Sequence, residues 1–174
     1  MKKILLFTLI LSTGLSFSSC SKHAEKKLQR QMKAVAKEYL HSNKVKFTDV
    51  KINCVDTVTE MGYANLNREL LTHMEDSYQA QYEAAIQEGE AETRDYLRLY
   101  LNETIRTRED FEDLMNGGSL KSDGVLLYMV TGIFKESKND EKGQEFMFLV
   151  QPDKKTVHTL DPFGDNLLYK DEAE

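Results

Sequence analysis

Val125-Leu126-Leu127-Tyr128-Met129-Val130-Thr131-Gly132-Ile133-Phe134 is the longest apolar run beyond the first twenty residues. Only Thr131-Gly132 interrupts it, so it reads as a central strand buried on both faces. Downstream, Glu136 to Gly143 is a polar loop, and Phe146, Phe148 and Val150 alternate with Met147 and Leu149 as a second strand. Pro152-Asp153-Lys154-Lys155 carries turn chemistry, and Thr156 to Leu160 returns as the last strand. Three strands joined by short polar connections form an antiparallel meander.

Upstream of the meander the chain is helical. Residues 63–115 repeat apolar positions at helical spacing (Leu66, Leu70, Met74, Tyr78, Ala85; then Leu97, Leu101, Ile105), with Gly89 as a break. Thr107 with Asp110 predicts a fresh capping-box start to a short last turn that Asn116-Gly117-Gly118 ends. Before this excursion, Val50, Ile52, Cys54, Asp56 and Val58 alternate with polar neighbours as a half-buried strand. A bend is expected near Thr48-Asp49, and Cys54 is expected as a small core hydrophobe. Leu28, Met32, Val35 and Tyr39 mark the apolar face of a helix over residues 24–42. The predicted fold class is therefore α+β: an N-terminal helix, a strand, a helical excursion, then a three-stranded antiparallel meander packed on helices.

Residues 1–20 differ from all of this. Lys2 and Lys3 precede the apolar Ile4–Leu11 run, and Thr13, Gly14, Ser16, Ser18 and Ser19 lead to Cys20. A basic start, a short apolar stretch and small residues before a break make a secretory signal peptide, too short to span a bilayer. Phe17-Ser18-Ser19-Cys20 resembles the lipobox of bacterial lipoproteins, in the looser two-serine form common in Bacteroidetes, although Phe17 stands where Leu is usual. That resemblance implies a diacylglycerol on the Cys20 thiol, cleavage before it and an acylated amine, hence a membrane partner through the N-terminal lipid. Ser21 rather than Asp implies the outer membrane. The absence of an acidic run after Cys20 implies a periplasm-facing anchor ahead of surface display. The expected organisation is signal peptide 1–19, lipidated tether 20–23 and one α+β domain over 24–174.

The full chain of 174 residues has a formal charge of −6, and loss of residues 1–19 removes two lysines and no acid, giving −8. An acidic chain without a basic block argues against nucleic acid. On the first helix, Lys26, Lys27, Arg30, Lys33 and Lys37 are read as a solvated helix back diluted by Glu25 and Glu38, with contact to anionic headgroups as the alternative. Acids Glu83, Glu88, Glu90 and Glu92 precede Arg94, Arg98, Arg106 and Arg108, which reads as surface pairing rather than an anion site.

Chemistry is sparse. His23, His41, His73 and His158 are scattered, with no paired-cysteine knuckle, no Gly-rich phosphate loop and no Gly-x-Ser-x-Gly elbow, so no metal or cofactor is expected. The best constellation is His158 with Asp161, near Tyr128 across the sheet; the alternative is a polar strand histidine and an acid in a turn. Element order also resembles the cystatin-like and nuclear-transport-factor-like cones over roughly residues 24–160. Members of such folds pair an acid and a Tyr in a pocket. Val130 and Gly132 match two positions of the cystatin Gln-x-Val-x-Gly wedge, with Tyr128 in place of the Gln and Pro162-Phe163 where a Pro-Trp pair would sit. Here the run reads better as buried strand. The expected function is a non-catalytic, membrane-anchored domain binding an envelope protein or small ligand. A small pocket enzyme or ligand-binding protein of the cone fold comes second, and a protease inhibitor third.

Overall fold

The computed structural model describes residues 22–137, 139, 142–158, 160–164 and 167–168. Among these residues, three helices and a four-stranded antiparallel sheet make an α+β fold. In chain order these are α1 (Lys22–Ser42), β1 (Asp49–Val58), α2 (Glu60–Glu88), α3 (Ala91–Asn116), β2 (Leu127–Lys135), β3 (Gln144–Val150) and β4 (Val157–His158). The strands lie side by side in sequence order. Two compact units result. One gathers α1 and the strands, and the other holds Val58–Leu126 with the segment from Leu160 onward.

In the first unit, α1 buries Met32, Val35, Ala36 and Leu40 against Val50, Val130, Phe134, Phe148 and Val150. Each such side chain taken fully from water contributes about 1.5–3 kcal/mol, which exceeds what helix propensity supplies to a segment this charged. Register explains the two-faced β2 that the apolar run predicts. Tyr128, Val130, Gly132 and Phe134 pair with Val150, Phe148, Phe146 and Gln144. These even-numbered positions carry the residues that join the α1 core. Phe146 and Phe148 stack with centroids 5.2 Å apart, and Tyr39 of α1 tilts onto Phe148 at 5.5 Å.

Gly132 of β2 lies against Lys51 of β1 and Phe146 of β3. A Cβ there would overlap the Lys51 carbonyl oxygen and the Phe146 ring. The absent side chain is what lets the ring lie across the strand.

The bend in β1 falls later than expected. Ile52 and Val55 both pack on the α1 core although three residues apart, so the alternation slips between them. The hydrogen bonds agree: Thr48 N–H donates to Lys135 O (2.7 Å) and Leu126 N–H to Val58 O (2.8 Å). Ten steps along β1 thus face nine on the returning chain, and one extra residue is accommodated. Cys54 is consequently not a core residue of this sheet; it is half-buried on the opposite phase, its thiol 3.3 Å from the Asp56 carboxylate. Alternating sequence could not reveal this, because Cys54 and Val55 are both compatible with burial.

The second unit is built on a long α-helical hairpin. Thr59 caps α2, its hydroxyl accepting from Gly62 N–H at 3.0 Å. Gly89 (φ 73°) closes the helix in the left-handed conformation, its N–H and that of Glu90 returning to the last carbonyls. The expected restart at Thr107 is absent: α3 runs unbroken from Ala91 to Asn116. The Thr107 hydroxyl donates to the Glu103 carbonyl at 2.9 Å, back-bonding within the helix where a cap would bond forward. Arg108 clamps the hairpin, donating to Glu75 on α2 at 2.8 Å and to Glu112 one turn on at 2.7 Å. Those two bonds hold the guanidinium pKa above its ordinary value.

Candidate functional site: the tyrosine face of the hairpin

Of the residues singled out for chemistry, Tyr128 and His158 are not brought together on one face of the sheet. Tyr128 lies in the cross-strand row Tyr128–Val150–Val157, and His158 lies in the next row with Leu149. Neighbouring rows of a sheet point to opposite faces. Tyr128 therefore joins the α1 side, where Lys154 Nζ sits 5.8 Å from its ring centre, and His158 faces away. Asp161 is exposed and spends one carboxylate oxygen on its own turn, accepting from Phe163 N–H at 3.1 Å. Val130 and Gly132 are both buried in β2, an inner strand, and offer no wedge to a partner's cleft. Cys20 lies outside the described residues.

Among the described residues, no group of three or more His, Cys, Asp and Glu converges as a metal site, and no helix is long and apolar enough to cross a membrane. An open hollow of about 300 Å³ lies at the end of α3, lined by Asp110, Asp113, Leu114, Gly117 and Ser119. It lacks the enclosing apolar walls that small-molecule sites use.

What the hairpin does present is an exposed aromatic and aliphatic surface. Tyr96 and Tyr100, one turn apart on α3, have ring centres 4.5 Å apart, and Tyr78 of α2 stands 5.8 Å from Tyr100. Tyr82, one helical turn beyond Tyr78 on α2, is half-buried. Ile86 is 52% exposed, Tyr96 58% and Leu99 65%. The cause is the sequence pattern: on the buried seam α3 supplies Leu97, Leu101 and Thr104, leaving positions 96, 99 and 100 outside it, where polar residues would be usual.

Electrostatics at this face are negative. Glu92, Asp95 and Glu103 lie one turn from Tyr96 or Leu99 on α3. The Tyr100 phenol is held above its ordinary pKa, first by its hydrogen bond with Tyr96 and, among smaller causes, by the Glu103 carboxylate. Arg94 is drawn to Asp95 at 3.1 Å, so one nearby cation is partly neutralised.

Periodicity locates the seam of this hairpin but gives no sign that Tyr96, Leu99 and Tyr100 work together. The signal that could have found them is an excess of large apolar residues on positions outside the seam. Compared with family models, curated proteins and solved structures, the chain matches none.

Proposed function

We propose that this protein is a non-catalytic binding domain of the cell envelope, held at the membrane by lipid on Cys20 and recruiting a partner protein through the tyrosine face of the α2–α3 hairpin. The carrying observation is the exposed Tyr96–Leu99–Tyr100 surface of α3, with Tyr78 of α2 beside Tyr100. Tyrosines give large contact area at low entropic cost and dominate interface hot spots. The acids around them select a partner whose contact surface is apolar with basic flanks. The signal-like N-terminus and its cysteine support an outer-membrane, periplasm-facing anchor, which raises the effective concentration of any partner in that plane.

Two measurements test the two halves separately. Intact mass of the chain from its own envelope reads acylation at Cys20; an unmodified chain removes the anchor. A photo-crosslinking residue at Leu99 captures one stoichiometric protein in native envelopes, and Tyr96→Ser in the same chain abolishes the crosslink without lowering the melting temperature. Equal crosslinking by the Tyr96→Ser chain, or none by either, overturns the hairpin reading.

A further inference from the structure

The basic residues of α1 are ordered by the helix more sharply than their sequence suggests. Lys26, Arg30, Lys33 and Lys37 recur at spacings of four, three and four, which is one continuous stripe on an α-helix. The buried stripe of Met32, Val35, Ala36 and Leu40 lies on the other side. Ala34 and Lys27 flank the basic stripe on one side, and Glu38 lies on that same side about three turns beyond Lys27, roughly 100° from Lys37. Lys26, Lys27, Arg30 and Lys37 are exposed, whereas Lys33 is turned to Asp49 of β1 at 3.5 Å. Charge is segregated along the chain as well. Residues 22–57 hold nine Lys and Arg against four acids, and residues 58–126 hold six against fifteen.

We infer that the outer face of α1 is a docking surface for anionic phospholipid headgroups, with Lys26, Lys27, Arg30 and Lys37 as its contacts. Clustered lysine and arginine on an amphipathic helix beside a membrane attachment point is the arrangement that responds to the negative surface potential of a bilayer. Position 20 lies two residues before α1, so acyl chains there would bring this face to the headgroups directly. Two or three acyl chains already anchor stably, so the basic face would orient α1 on the bilayer rather than hold the chain there. The orientation of α1 on the bilayer rests on the lipid reading proposed above, whereas the attraction itself does not. The acidic hairpin segment has no such attraction, which makes α1 the membrane-facing element by charge alone.

The test separates the two readings. The chain from residue 20 onward, with Cys20→Ser, lacks the cysteine of the lipobox-like stretch, and among the described residues the core that holds α1 begins at Leu28. Its partitioning is measured onto vesicles of pure phosphatidylcholine and of mixed phosphatidylcholine and phosphatidylglycerol, at low and high salt. Expected is binding to the mixed vesicles alone, lost at high salt. Each neutralisation among Lys26→Gln, Lys27→Gln, Arg30→Gln and Lys37→Gln weakens it roughly fivefold. The control Lys44→Gln with Lys46→Gln and Lys51→Gln, exposed bases outside α1, retains most of it. Circular dichroism confirms that each variant keeps the fold. Equal partitioning onto both vesicles, or a control as impaired as the α1 set, overturns the inference whatever the mass of the native chain shows about Cys20.

Discussion

The Leu126 amide donates to the Val58 carbonyl across 2.8 Å although the two residues are 68 positions apart. The chain therefore leaves the end of β1, builds α2 and α3, and returns within one hydrogen bond of its departure. The hairpin is an insertion between two strands that are already neighbours in the sheet.

Replacing residues 60–124 by an Asn-Gly turn should convert β1 and β2 into an ordinary hairpin. The shortened chain is expected to fold, with helical circular dichroism reduced to the 21 residues of α1. A spectrum without β structure or a cooperative melt would show that the sheet depends on its insertion.

Gly132→Ala should destabilise by about 3 kcal/mol, the upper end of overpacking costs, because its Cβ meets a backbone carbonyl as well as a ring. Removing the ring too, as Gly132→Ala with Phe146→Ala, should fail to restore stability, since the Lys51 carbonyl cannot move without β1. Urea midpoints of the two variants provide the check; recovery in the double variant would assign the whole clash to Phe146.

Thr104 is fully buried in α3 and its hydroxyl has no hydrogen-bond partner among the described residues. Thr104→Val keeps the shape and deletes the unsatisfied group, so stability should rise by about 1 kcal/mol. A melting temperature that falls instead would mean that the hydroxyl is satisfied.

Asp153 holds the turn between β3 and β4, accepting from the Lys155 and Thr156 amides at 2.8 and 2.9 Å and from the Thr156 hydroxyl at 2.6 Å. These bonds, the hydroxyl first, hold its carboxyl below the ordinary value of 3.8. A depressed folded pKa means that this turn gains stability above the ordinary carboxylate pKa and loses it as pH falls through the folded one. Carboxyl NMR titration should place Asp153 below the exposed carboxylates, and Thr156→Val should move it back up. An unshifted titration in the wild type would remove the hydroxyl from the account.

Much of this was legible in the residues. The even-numbered apolar positions of β2 and β3, the turn at Pro152-Asp153 and the spacing of Met32, Val35 and Leu40 state their own elements, because burial imposes periods of 2 and 3.6 directly on sequence. The continuity of α3 through Thr107 was not legible, since a threonine followed by an acid three residues on is written the same way at a cap and inside a helix. Nor was the slip in β1, where Cys54 and Val55 compete for one core position and only the partner strand decides. Tyr128 and His158 looked combinable until register placed them in adjacent rows, on opposite faces.

By itself the sequence determined the α+β class and the order of its elements. These depend on local pattern, which each segment carries alone. Tertiary structure decided which tyrosines gather on the hairpin and that β1 must absorb an extra residue. Those outcomes depend on the pairing of segments distant in the chain, and pairing is settled by register and packing that no single segment encodes.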